Sequence, residues 1–259
     1  MGQTRSRMVV WLLLASSAVA QQRLSGVTVP GSWSFDVASI RAGAPERRTR
    51  VLRHPDDTEY VAQNVSLSTM VQYAFGVTEA RVIGLPPQLE TARFDVQAKG
   101  DVETDARWRR LNPDQQRVAK QTMMQGLLAD RCKLAYHWET RELPVYVLVA
   151  AKGGAKLQQS DEQTVQAWTW REHINVEGGN TLERLADELT RVAGRPVVNR
   201  TGLTGRYTLE LEWAADEDGD ADVPTLFTAI REQLGLRLEP ERAMVEVVVI
   251  DHMELPTAN

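Results

Sequence analysis

Residues 180–213 read NTLERLADELTRVAGRPVVNRTGLTGRYTLELEW, and this stretch decides the fold class. Asn180 stands where a helix needs a cap, and Glu183 can reach back to it as in a capping box. Leu182, Leu185, Ala186, Leu189 and Val192 then recur on one helical face. Gly194 and Pro196 follow in the order that ends a helix. Residues 196–199 are a short apolar strand, and residues 201–205, TGLTG, are a turn, since glycine supplies backbone angles other residues resist. Residues 206–213 alternate, with Tyr207, Leu209, Leu211 and Trp213 on one face of a strand. An acidic loop, 216–222, leads to a second helix over 224–234 with Leu226, Phe227, Ile230 and Leu234 inward. Gly235 stops it, and strands over 236–238 and 244–251 complete the unit. The order is helix, strand, strand, helix, strand, strand.

The same grammar occurs earlier in the chain. Leu67, Met70, Val71 and Ala74 mark a helix ending at Gly76. A short strand over 81–83 meets the turn Gly84-Leu85-Pro86-Pro87, and residues 93–98 match residues 206–211 in position and pattern. Asn112-Pro113 opens a long helix, with Asn as cap and Pro in the first turn. Val118, Met123, Met124, Leu127 and Leu128 sit at core spacing along it. Strands over 132–139 and 144–150 close at Lys152-Gly153-Gly154. The expected architecture is therefore α+β, with two tandem related helix-strand-strand-helix-strand-strand modules. Their bounds are 65–157 and 180–255. A strand and polar loop over 21–64 precede them, and a linker over 158–179 joins them.

The N-terminus MGQTRSRMVVWLLLASSAVAQQ carries Arg5 and Arg7, a short apolar run, and Ala18-Val19-Ala20. This is the layout of a cleavable signal peptide over 1–20. The run is shorter than the roughly 20 apolar residues a bilayer span needs. No second long apolar stretch follows, so no transmembrane span is expected after signal removal. The predicted location is outside the cytoplasm, periplasmic or secreted. Losing a leader with two arginines and no acid takes the net charge from −5 to −7. An acidic chain without a basic stripe is poorly suited to nucleic acid, whose phosphates demand neutralisation.

Sites of chemistry are scarce in the pattern. Cys132 is the one cysteine, so no internal disulfide and no thiol pair can form. Its setting, DRCKLAYHW, reads as a small buried hydrophobe rather than a nucleophile. His54, His137, His173 and His252 show no ligand spacing, so no metal site and no cofactor are expected. The acidic run fails as an EF-hand, because counting from Asp216 places Ala221 and Phe227 at its sixth and twelfth positions. No G-x-S-x-G elbow, H-E-x-x-H pair or phosphate-cradling G-x-x-x-x-G-K occurs. Ser25, Ser32, Ser39 and Ser66 lack a base nearby in sequence. Among carboxylate pairs, Asp130 with Glu139 and Glu183 with Asp187 come closest, and a solvated helix face explains the second. Trp168 and Trp170 alternate with Thr169 and share one strand face. Packing into a core is the simpler reading, and stacking on a ligand is the alternative that gives the best contact candidates.

Several strings carry a family resemblance. They are FDVASI at 35–40, RFDV at 93–96, LLADR at 127–131, ETRELPVY at 139–146, AKGG at 151–154, TGLTGRY at 201–207, EQLGL at 232–236 and VIDH at 249–252. Together they resemble the soil-associated secreted family of acidobacteria, a domain of unknown function, over nearly the whole mature chain. The resemblance implies export and supplies no activity, cofactor or catalytic residue. Relatives usually carry an aromatic residue where this chain has Cys132, which suits a core position. The unit over 180–255 also resembles the short N-terminal domain of secretins and TonB-dependent receptors, a periplasmic interaction module. Some relatives are joined to antirepressor-type membrane metallopeptidases.

The expected function is thus an exported, non-catalytic binding or interaction module of the cell envelope, meeting an envelope protein or wall component. The alternatives are an envelope-polymer hydrolase, or a sensor or adaptor serving an antirepressor-type metallopeptidase. No catalytic, cofactor or metal residue is nominated; Trp168 and Trp170 are the contact candidates.

Overall fold

The computed structural model describes residues 27–44, 48–53, 57–161, 166–170, 173–214 and 224–257. The leader over 1–20 and the acidic run over 216–222 lie outside these residues. The chain is mixed α+β. Strands β1 (Val37–Ala42), β2 (Arg50–Arg53) and β3 (Tyr60–Ser66) lead into helix α1 (Leu67–Phe75). A 3-10 turn, Glu79–Arg81, brings the chain to β4 (Val82–Ile83), α2 (Pro87–Thr91), β5 (Arg93–Lys99), α3 (Val102–Trp108), α4 (Pro113–Cys132) and β6 (Ala135–Ala150). The later half holds β7 (Gln158–Gln159), β8 (Gln166–Trp170), β9 (His173–Asn180), α5 (Leu182–Ala193), β10 (Val197–Asn199), β11 (Tyr207–Glu212), α6 (Leu226–Gln233) and β12 (Leu236–His252).

Local chemistry sets the helix ends. Ser66 caps α1 by accepting a hydrogen bond from the Thr69 N–H at 3.0 Å, and Gly76 closes it at φ 63°. Asn112 and Gln115 form a capping box on α4, with Pro113 in the first turn. For α5 the cap moves by one residue from the expected Asn180 to Thr181, whose hydroxyl accepts from the Arg184 N–H. Asn180 is still paired with Tyr207 as the last residue of β9, so it cannot also open the helix. Glu183 accordingly turns away and accepts from Asn199 Nδ2 at 2.9 Å.

Among the described residues, three four-stranded sheets result, in the orders β1-β5-β3-β2, β10-β6-β12-β4 and β7-β11-β9-β8. The outer two are assembled from elements in the same chain order, and in each a helix follows the third strand, α1 after β3 and α5 after β9. Residues 158–179, expected to be a linker, instead supply β7, β8 and most of β9, and Ile174 in this stretch is buried at 1% exposure.

The middle sheet departs most from expectation. Residues 135–150 and 236–252 are each one unbroken strand, and they pair antiparallel along nearly their whole length. The local hairpins expected at 132–150 and 236–251 do not form. No glycine interrupts either strand, and Pro144 and Pro240 sit where β10 and β4 do not pair, on stretches with a free edge that tolerate a missing N–H. β4 runs parallel to β12, and β10 runs parallel to β6, so each half lays its short strand on the long strand of the other.

One end of this ribbon gives Tyr136, Trp138, Val248 and Ile250 to a core with α1, α4 and the first outer sheet. Phe75 packs edge-on against Tyr136 and Trp138, with centroids 4.4 and 5.9 Å away. The other end gives Tyr146, Leu148, Leu236 and Leu238 to a core with α5, α6 and the third sheet. The expected pair of self-contained modules is therefore a pair of cores built on one shared ribbon. Phe227, expected inward on α6, is 44% exposed and rests edge-on against Tyr146.

Candidate functional site

The sequence candidates separate cleanly in space. Cys132 is fully buried at the end of α4, and desolvation pushes its thiol up to about 12. His137 meets Asp251 at 2.9 Å on the exposed ribbon edge, and His252 meets Glu254 at 2.9 Å nearby. His54 lies outside the described residues. Asp130 and Glu139 do not converge, since each is taken by an arginine, Arg131 at 2.9 Å and Arg141 at 2.7 Å. Ser66 is spent on its cap. Among the described residues, no group of three or more His, Cys, Asp or Glu is placed to hold a metal ion. Among them, too, no helix is long and apolar enough to cross a membrane.

Strand register places Trp168 and Trp170 although their side chains lie outside the described residues. Trp168 pairs with Asn175, which pairs with Glu210; Trp170 pairs with His173, which pairs with Glu212. Directly opposed residues share a sheet face. The alternate rows, through Thr169, Ile174 and Leu211, hold the core, with Leu211 at 0% exposure. The backbone register thus puts positions 168 and 170 in the same cross-strand rows as the exposed Glu210 and Glu212.

Three features escaped the sequence reading. The first is a buried polar network. Asp105 accepts from the Thr58 N–H at 3.0 Å and from its hydroxyl at 2.5 Å, and Thr58 Oγ1 accepts from the Gly100 N–H at 2.9 Å. Beside it Lys120, only 5% exposed, donates to the carbonyls of Glu59 at 2.8 Å and Asp57 at 3.3 Å, and its ammonium lies 4.6 Å from the Trp108 ring centre. Burial pulls the lysine down to about 8 against the opposing pull of Asp57, Asp105 and Glu59. Each of these groups has a partner, so the network ties the segment before β3 to α3 and α4. A signal was readable: Lys120 lies four residues before Met124 and seven before Leu127, on the inward stripe of α4.

The second is an open cleft of about 560 Å³ lined by Arg48, Thr49, Arg50 and Gln63 at the edge strand β2. The third is a charged junction between the halves. The 3-10 turn brings Arg81, the first turns of α4 bring Asp114 and Arg117, α5 brings Arg184 and Asp187, and the turn before β11 brings Arg206. Arg206 reaches Asp114 at 3.0 Å and donates to the Gly179 carbonyl at 3.2 Å. Arg81 Nε donates to the Glu246 carbonyl at 2.8 Å. Asp187 was expected on a solvated face; instead burial raises its pKa, opposed by Arg184, Arg81 and Arg117. Burial likewise lowers Arg184, and the neighbouring Arg117 adds to that shift.

No curated protein and no solved structure matches the chain. The model of a family described as a protein of unknown function, DUF3738, matches residues 68–253, from α1 through the last residues of β12. The match takes in the ribbon, the second core and the part of the first core from α1 onward, while Ile40, Tyr60, Ala62, Val65 and Leu67 of the first core precede it. With well over half of its length covered, the chain belongs to the DUF3738 family of proteins of unknown function.

Proposed function

We propose that this protein is an exported binding protein of the cell envelope, and that the outer face of its β7-β11-β9-β8 sheet is the contact surface for cell-wall glycan. The observation that carries the reading is the register that aligns Trp168 and Trp170 with Asn175, His173, Glu210 and Glu212. Indole faces stack on the apolar faces of sugar rings, while carboxylate and amide groups bond to hydroxyls. The leader pattern over 1–20 supports export, and the soil-associated acidobacterial and secretin-type resemblances suit an envelope setting. We expect binding without turnover, because the reading assigns contact groups and no nucleophile.

The test is co-sedimentation of mature protein, residues 21–259, with purified peptidoglycan sacculi. The wild type should pellet saturably, and the double variant Trp168→Ala, Trp170→Ala should stay in solution with its circular dichroism unchanged. Equal pelleting of the two proteins, or none for the wild type, would contradict the reading. Release of soluble fragments would favour the hydrolase alternative.

A further inference from the structure

We propose that the cleft beside β2 is a docking site for an acidic, extended peptide segment of a partner protein, which adds a strand to the free edge of β2 and sets its carboxylates on Arg48 and Arg50. Among the described residues β2 pairs with β3 alone, so the backbone groups along its other side meet no strand. Such an edge is a ready template for another chain, and strand addition is a recurring way of holding an extended peptide. The cleft of about 560 Å³ lies at this strand, and Arg48, Thr49, Arg50 and Gln63 line it, all of them exposed. Its wall is fixed from behind. Thr49 Oγ1 donates to the Asn64 carbonyl at 2.9 Å, at a bulge in β3 where Asn64 takes φ 55°. Val51 is paired with the buried Ala62, yet it is itself 37% exposed beside the open edge. An added strand would cover it.

The charges select the partner. The lining of the cleft has two arginines and no acid. Among the described residues neither guanidinium has an ion-pair or hydrogen-bond partner. Across the four strands of this sheet the one acid is Asp95, against Arg41, Arg50, Arg53, Arg93 and Lys99. Asp95 stands opposite the bulge and accepts from the Asn64 N–H at 2.8 Å. Asp57 and Glu59 precede β3 at the end where Arg53 pairs with Tyr60, away from Arg50 and Gln63, and Asp57 is held by Lys99 at 3.4 Å. The positive charge at the cleft therefore stands without a local acid. Guanidinium forks match carboxylates, so an acidic strand is the complementary occupant. Alternate residues of a strand share a face about 6.7 Å apart, and Arg48 and Arg50 are likewise two residues apart. A simple polyanion could use the arginines but not the open edge. The site shares no residue with the sheet face proposed above, so each can fail without the other.

Fluorescence anisotropy of a labelled octapeptide alternating threonine and glutamate, titrated with the mature protein, tests the proposal. Saturable binding is expected, weakening as salt rises. Arg48→Gln with Arg50→Gln should weaken it about tenfold, and thermal unfolding should be unchanged because both side chains are exposed. A second peptide, with proline in place of its two central threonines, keeps every carboxylate and loses two backbone donors; it should also bind about tenfold more weakly. A peptide with lysine in place of glutamate should not bind. Three results would overturn the proposal: no saturable binding of the glutamate peptide, unaltered affinity in the double arginine variant, or equal binding of the proline peptide, which would mark a site for polyanions at large.

Discussion

At one end of the β6–β12 ribbon stands a core sealed by the 20-residue helix α4 and stitched by the buried charges Asp105 and Lys120; at the other stands a core sealed by the 8-residue helix α6, with no buried charged residue among those described. The outer sheets beside them have the same strand order, β1-β5-β3-β2 and β7-β11-β9-β8. The first end also carries an added aromatic layer, in which Trp33 and Trp108 pack edge-on at 6.4 Å with Ala119 and Met123 beneath. Identical order with different sealing shows that order alone does not specify how a core is closed. The first half uses polar connections to fix three elements at once; the second relies on leucines, which need only volume.

The largest expected effect comes from breaking what the halves share. Val147 lies near the second-core end of the ribbon as an interior strand residue, paired with Glu239 on one side and Val198 on the other. Val147→Pro removes a central N–H and should abolish the cooperative transition in thermal unfolding, since both cores lose their common strand. Next is the polar stitch. Lys120→Ala strands two carbonyls and Asp105 in the interior and should cost about 3–5 kcal/mol in denaturant unfolding. Leu211→Ala in the second core should cost roughly 2–5 kcal/mol, as should Met124→Ala in the first. If the ribbon couples the cores, both variants shift one shared midpoint rather than splitting the curve.

A pH series sharpens the same contrast. The folded-state pKa of Lys120 is depressed to about 8 from 10.5. Below pH 8 both states are charged and the full cost of burying the ammonium is present. Between 8 and 10.5 the folded protein releases its proton first, so the unfolded state binds more protons and this group's contribution to stability rises with pH. Wild type measured against Lys120→Met should show that rise, whereas Leu211→Ala against wild type should be flat across the window. The smallest effect belongs to the exposed cross-strand pair Arg242–Glu142 at 3.0 Å. Glu142→Ala should change stability by less than about 1 kcal/mol, less again in high salt.

Helices and short strands were legible because their signals are local. Ser66, Asn112, Gly76 and Gly194 punctuate helices where the apolar 3.6-residue spacing stops. The ribbon was hidden because Pro144 and the charged run 139–142 resemble a hairpin turn, and only distant pairing with residues 242–247 holds that run extended. Alternation put positions 168 and 170 in one set of rows; that Ile174 and Leu211 in the alternate rows are buried depends on pairing with β11 and could not be read locally. The junction was invisible for a similar reason. Arg81, Arg117 and Arg184 are far apart in sequence, and each alone looks like an ordinary surface arginine.

The claim on which the rest depends is that neither half completes its fold without the other, because β4 lies on β12 and β10 lies on β6. Producing residues 27–157 and 158–257 as separate chains and recording their hydrogen exchange alone and mixed tests it most directly. The account predicts that each fragment alone exchanges rapidly throughout, and that mixing yields a one-to-one complex with strong protection along 135–150 and 236–252. Either fragment showing native-like protection by itself, unchanged on mixing, would contradict it.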